Sequence, residues 1–196
     1  MRKIIVISCL SLLFIACNGG SFSQTESSRL PLGNPNAAVS VLDFSDLQCL
    51  ACYGAYARII NPLIEEFGND ISLHFMHFPL RTIHRYALKA SEASECAADQ
   101  GAFWEYLDIA FENQTDLDDE ELIVWADELN LDMAEFKSCL SSGKKRDIVI
   151  ADYEFGRKLE VGGTPIFFVN GVKVRTDLAS LKEAINSELF RLTQKL

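Results

Sequence analysis

Positive charge is scarce in this chain. Lysine and arginine number 18 against 28 aspartates and glutamates, for a formal net charge of -10. Such a surface repels nucleic acid and anionic lipid headgroups at long range, so nucleic-acid binding is set aside and any membrane attachment must come from something other than basic residues. Long apolar runs are missing as well. The one near the amino terminus, Ile4 to Ala16, has 13 residues, short of the about 20 that a membrane-spanning helix needs. Histidine is rare, with His74, His77 and His84 the full set. A closed zinc site built on a Cys-x-x-Cys pair needs two further ligands, and His74 and His77, three apart on an expected strand, face opposite ways. No metal is expected, and the three histidines are read as core or surface residues without a catalytic role. Glycine is absent where a calcium loop would need it: residues 112–136 hold ten acids and no base, but the sixth position of "DLDDEE" is Glu121. That stretch reads as a solvated, acid-capped helix start.

What is present suits one folded domain, since 196 residues with 48% apolar content can fill a core. Residues 1–17 read as an export signal: Arg2 and Lys3 precede the apolar run, and Cys17 follows a small residue. The stretch "FIAC", 14–17, resembles a bacterial lipobox with Phe14 where leucine is usual, which implies lipidation of Cys17 and a protein anchored on the periplasmic side of a bacterial membrane. The alternative is an ordinary cleaved signal peptide with an incidental cysteine. Residues 18–30 lack apolar periodicity and read as a flexible tether with a reach of roughly 20 Å. The domain is then 31–196. Export into an oxidising space leaves Cys49, Cys52, Cys96 and Cys139, an even number able to form two disulfides.

Along the domain, "VSVLDF" (39–44) reads as a buried strand that carries Asp43 on the same face as Val39 and Val41. The apolar spacing from Cys49 to Phe67 predicts a helix kinked or restarted near Pro62, and "ISLHFMHF" (71–78) predicts a second interior strand. Residues 79–143 read as an all-helical insertion, with breaks near Gln100-Gly101, 113–119 and 130–132 and a stop at Gly143. A further helix over about 144–159, two short strands around Asn170-Gly171 and an amphipathic helix opening at Asp177 complete the chain. A strand-helix-strand start makes parallel neighbours, and the terminal hairpin adds antiparallel strands to one mixed sheet.

Cys49-Leu50-Ala51-Cys52 falls at the junction of strand and helix. A metal claw, a structural staple and a redox centre all use such a pair, but this position favours a thiolate at Cys49, where unpaired amides and the helix dipole meet. Cys49 is then the nucleophile, and Cys52, one turn in, resolves the mixed disulfide. Asp43, six residues before Cys49, is placed to take the proton of Cys52 directly or through water if burial raises its pKa.

From Leu32 onward the chain resembles a thioredoxin-fold thiol:disulfide oxidoreductase of the DsbA type, through "LDFSDLQCLAC" at 42–52, the acid six before the first cysteine, the helical insertion and "GTPIFFVNG" at 163–171. The resemblance implies an α/β fold with a mixed central sheet flanked by helices and a helical subdomain inserted at about 79–143. It implies exchange of a Cys49-Cys52 disulfide with cysteines of exported proteins, without a cofactor, and recycling by a membrane redox partner. It also implies a cis Thr164-Pro165 bond against the active-site sulfurs, with Thr164, Pro165, Leu50 and Ala51 contacting an extended substrate segment. A second, structural pair in the insertion, Cys96 with Cys139, is a further implication; packing as two small hydrophobes is the alternative. Leu50-Ala51 departs from the Pro-His or Pro-Tyr of many oxidising members, which implies a weaker oxidant than DsbA. Isomerases of the family add a dimerisation domain for which the tether has no room, so a monomer is expected. An exported reductant and a non-catalytic binding lipoprotein remain as alternatives.

Overall fold

The computed structural model describes residues 27–194. The expected signal segment, the lipidation site at Cys17 and most of the expected tether lie outside these residues. Among the described residues no helix is long and apolar enough to cross a membrane.

Five strands form one sheet in the order β1 (Leu32–Gly33), β3 (Ile71–His77), β2 (Val39–Ser45), β4 (Ile166–Val169) and β5 (Val172–Val174). β2 and β3 run parallel, and the other three pairings are antiparallel. The β2 register places Val41 between Leu73 and Val169, and Asp43 between Phe75 and Phe167, all on one face. Alternation sends Phe44 to the other face, where it packs with Phe78, Val161 and Phe168. The β4-β5 hairpin turns at Asn170 (φ 44) and Gly171 (φ 80), and this pair of positive φ angles is what Asn-Gly supplies at low cost.

The helical insertion comprises α3 (Ala87–Ala98), α4 (Phe103–Glu112), a short 3-10 turn (Gln114–Asp116), α5 (Glu121–Glu128) and α6 (Met133–Ser142). Gly143, at φ 65, ends α6 in the left-handed conformation that stops a helix. Cys96 of α3 and Cys139 of α6 are joined by a disulfide, with Cα atoms 5.8 Å apart. After the insertion, α7 (Arg146–Lys158) crosses the Phe44 face, and α8 (Leu178–Thr193), capped by Asp177, buries Leu181 and Ile185 against the opposite face. α7 comes close to the sheet at Gly156, where a β-carbon would lie 2.8 Å from Phe78 Cδ2 and 2.9 Å from Phe44 Cδ1. Gly156→Ala is therefore expected to cost about 1–3 kcal/mol through overpacking, measured as a lowered midpoint in urea.

Two expectations need correction, and two features add detail to the expected plan. Residues 79–86 form turns rather than helix, because the Leu80 amide and the His84 ring are both committed to the Asp46 carboxylate. The break expected near Pro62 is present, as a π-helical turn over Tyr56–Ile60 between α1 (Leu50–Ala55) and α2 (Asn61–Phe67): Asn61 donates five residues back to Tyr56, and Pro62 has no amide to continue the regular ladder. β1 adds a strand without a sequence signature, defined by its pairing with β3. Residues 27–30, assigned to the tether, are pinned to the domain. Ser27 Oγ donates to Glu95 (2.6 Å), Ser28 Oγ to Asp99 (2.7 Å), and Trp104 Nε1 to the Leu30 carbonyl (2.8 Å). Between them Arg29 bridges Glu95 of α3 and Asp152 of α7 (2.6 Å to the latter), with its guanidinium 5.8 Å from the Phe103 ring centre.

Candidate active site

Three pieces of chain meet at the carboxyl end of β2. Cys49 is the N-cap of α1, with extended backbone (φ -90, ψ 116), and its carbonyl accepts the first helical amides, from Cys52 (2.9 Å) and Tyr53 (3.1 Å). No side chain caps this helix start, so its free amides and dipole act on the Cys49 sulfur itself. The second piece is the loop before β4, whose Thr164-Pro165 bond is cis. Here Cys49 Sγ lies 3.7 Å from the Thr164 carbonyl, to which it donates only while protonated. The third piece is the inserted block: Gln114 Nε2 donates to the carbonyls of Leu47 (2.6 Å) and Cys49 (3.1 Å).

The two sulfurs sit in different surroundings. Cys49 is 9% exposed and Cys52 1%. The hydrogen bond from the Cys52 thiol, joined by the Thr164 side-chain hydroxyl and the helix-start amides, outweighs burial and brings the Cys49 pKa down to about 5. Burial, then the hydrogen bond to Cys49 and the nearby charge of Asp43, push Cys52 well above the ordinary thiol range. At neutral pH one sulfur is a thiolate and the other holds its proton.

Asp43 lies beneath them on β2 with only 1% exposure. Burial raises its pKa to about 7 in spite of the 2.6 Å hydrogen bond it accepts from Ser45 Oγ. A carboxyl group poised there can hold or give up a proton in the physiological range. Around the rim, Leu50 and Tyr53 are 71% and 40% exposed. Beside them a cleft of about 430 Å³ runs between Ala51, Gly54, Arg58 and Ile59 on one side and Pro165 and Leu178 on the other.

The expected residues Cys49, Cys52, Asp43, Thr164, Pro165, Leu50 and Ala51 thus converge. Cys96 and Cys139 are bonded to each other in the insertion. Among the described residues no group of three or more histidines, cysteines and acids is placed to hold a metal ion. Sequence reasoning missed Asp46, His84 and Gln114. Asp46 is fully buried, its Oδ1 accepting from the Gln48 amide (2.7 Å) and its Oδ2 from the Leu80 amide (2.7 Å) and His84 Nδ1 (2.8 Å). The Asp-x-Gln spacing of an Asx turn was a readable signal for the first of these contacts. Nothing local pointed to Gln114.

Comparison with known proteins places this geometry in context. A family model described as thioredoxin matches residues 24–187. The Na(+)/H(+) antiporter NhaA 1 of Salinispora arenicola is 36% identical over 139 residues, covering 71% of this chain and 21% of the antiporter. The chain thus spans about a fifth of the length of that relative. The "Probable disulfide bond formation protein D" of Bacillus anthracis is 32% identical over 175 residues, covering 83% of this chain and 79% of that protein. Among solved structures, oxidised BdbD from Bacillus subtilis superposes with a TM-score of 0.73 at 24% identity, over 83% of this chain and 93% of BdbD. Alpha-DsbA1 of Wolbachia pipientis gives 0.71 at 22% identity, over 84% and 92%. These two likenesses establish the shared fold. A family match that runs from before β1 into α8, around a Cys-x-x-Cys at a helix start, makes this chain a member of the thioredoxin family.

Proposed function

We propose that the protein is an exported thiol:disulfide oxidoreductase that passes the Cys49-Cys52 disulfide to cysteines of exported proteins. The observation that carries this reading is the asymmetry of the sulfurs: a thiolate at a helix start above a covered, protonated partner. A substrate thiolate attacks Cys49 Sγ of the disulfide and Cys52 leaves as a thiolate, taking a proton held by Asp43 directly or through water. A second substrate thiolate then attacks the substrate sulfur bonded to Cys49. The substrate disulfide forms, and Cys49 leaves in its stabilised anionic state. Substrate loses two electrons and the protein gains them, and a membrane redox partner takes them away in recycling. The named relative from Bacillus anthracis and the likeness to BdbD support this assignment.

The direction of exchange follows from what stabilises the reduced form. Leu50-Ala51 offers no side-chain donor, yet backbone amides, Thr164 and Cys52 together bring the Cys49 pKa to about 5. That falls between the thiols of thioredoxin at about 7 and DsbA at about 3.5, which favours an oxidant milder than DsbA. The Cys96-Cys139 disulfide joins two insertion helices across 43 residues of chain and is read as structural. Anchoring through Cys17 and export by residues 1–17 belong to the same proposal and rest on the sequence motif.

Alkylation of the reduced protein at neutral pH is expected to modify Cys49 first. Cys52→Ser is expected to accumulate mixed disulfides with exported proteins in cells, identifiable by mass spectrometry. Labelling of Cys52 ahead of Cys49, or a Cys52→Ser protein that captures nothing, would overturn the assignment. A pair that stays oxidised in a redox buffer poised at about -270 mV, the potential of thioredoxin, would have too low a potential to oxidise substrates and would reverse the direction of electron flow.

A further inference from the structure

The Asp46 carboxylate sits fully buried in the loop that leads into the helix. A carboxylate withdrawn from water is costly unless its oxygens are satisfied, and here every polar group of the residue is engaged. Besides the three donors to its side chain, its carbonyl accepts from the Cys49 amide at 3.0 Å, and its own amide donates to Cys52 Sγ at 3.4 Å. The side chain therefore fixes the peptide plane that faces the second sulfur. Two of the three side-chain donors, Leu80 and His84, come from the 79–86 turn. A second strap ties the same two segments, from the Tyr86 amide to Gln48 Oε1 at 2.9 Å.

We propose that Asp46 and His84 form a positioning pair that aims the Asp46 amide at Cys52 Sγ and so speeds the steps in which that sulfur carries negative charge. The inference rests on the exchange reading above and deepens it. When Cys52 leaves Cys49, or attacks a mixed disulfide at Cys49, the charge develops on an atom that is almost wholly shielded from water. An amide already pointed at that atom stabilises the charge without reorganisation. His84 acts at one remove, by holding the carboxylate through Nδ1–H. It touches neither sulfur and makes no covalent bond.

A nitrobenzoate aryl disulfide separates the steps, because each released aryl thiolate is coloured. In the first phase the Cys49 thiolate attacks the probe, forming the Cys49–aryl mixed disulfide and expelling one aryl thiolate. In the second the Cys52 thiolate attacks Cys49 Sγ, forming the Cys49-Cys52 disulfide and expelling the other. Cys52→Ser, which keeps the first phase alone, identifies them. In rapid mixing with the reduced protein, His84→Phe and His84→Ala are each expected to slow the second phase about tenfold, about 1.4 kcal/mol in barrier, and to leave the first within about twofold. His84→Asn, whose amide replaces Nδ1–H, is expected to bring the second phase back to within about threefold of wild type. A normal second phase in the Phe and Ala variants, equal slowing of both phases, or no rescue by Asn would each overturn the proposal. Absence of any second phase in the wild-type protein would instead remove the exchange reading, and this proposal with it.

Discussion

Arg29→Ala is expected to destabilise the fold by about 3–5 kcal/mol at neutral pH, the cost of leaving a buried charge without its partner. The guanidinium sits between Glu95 and Asp152, and the Glu95 side chain is fully buried. Burial works against the Glu95 carboxylate, but the hydrogen bond from His77 and the charge of Arg29 prevail and hold its pKa at about 2. A carboxyl with a depressed folded pKa contributes stability that is present above its unfolded value, 4.5, and is lost as the pH falls toward about 2. The deficit of Arg29→Ala should accordingly be large at pH 7 and shrink below pH 4.5, because in the variant Glu95 can take up a proton at little cost. Urea unfolding of both proteins across that range checks this. Arg29→Met combined with Glu95→Gln should recover part of the loss, since the fully buried Glu95 charge is then no longer stranded and only Asp152 lacks its cation. A single variant as stable as wild type would show that the amino-terminal segment contributes no net stability through this contact.

Asp43 works in the opposite sense. Its folded pKa, about 7, lies above the ordinary 3.8, so between those values the folded state binds a proton that the unfolded state has released. Stability falls as the pH rises through that window, and the full deficit, about 4 kcal/mol, is present above pH 7. Asp43→Asn keeps the shape and an acceptor for Ser45 while removing the charge. The variant is expected to be more stable than wild type by about 2–4 kcal/mol at pH 8 and nearly equal to it at pH 4. It should also release mixed disulfides more slowly, because Cys52 loses its proton carrier. A stability difference independent of pH would show that the carboxyl group does not titrate in the folded protein.

Features written in neighbouring residues were readable in advance. The Cys-x-x-Cys at a strand-helix junction, the Asn170-Gly171 turn, the stop at Gly143 and the cap at Asp177 each follow from a few consecutive side chains. Asp43 was readable because a lone acid in an alternating apolar strand stands out against its own face. The rest depended on partners far off in the chain. Arg29 looks like any surface arginine until the fold brings Glu95 and Asp152, 66 and 123 residues away, to meet it. His84 and Asp46 are 38 residues apart, and the residues around His84 carry a helical spacing that their hydrogen bonds to Asp46 override. β1 is two residues long and is defined wholly by its pairing with β3, too little for any periodicity.

The grip of Gln114 on the Leu47 and Cys49 carbonyls bears on how far this architecture can be trimmed. An engineer seeking a minimal redox module would excise residues 79–143 and rejoin the chain across the gap. That cut would take away Gln114, Leu80 and His84 at once, so the turn entering the redox helix would lose its outer fastenings. The shortened protein could keep its sheet and both active-site cysteines and still hold them in the wrong relative placement. The insertion is in that sense part of the tool rather than its handle, and a working miniature would have to rebuild those donors from new side chains before discarding the helices that now carry them.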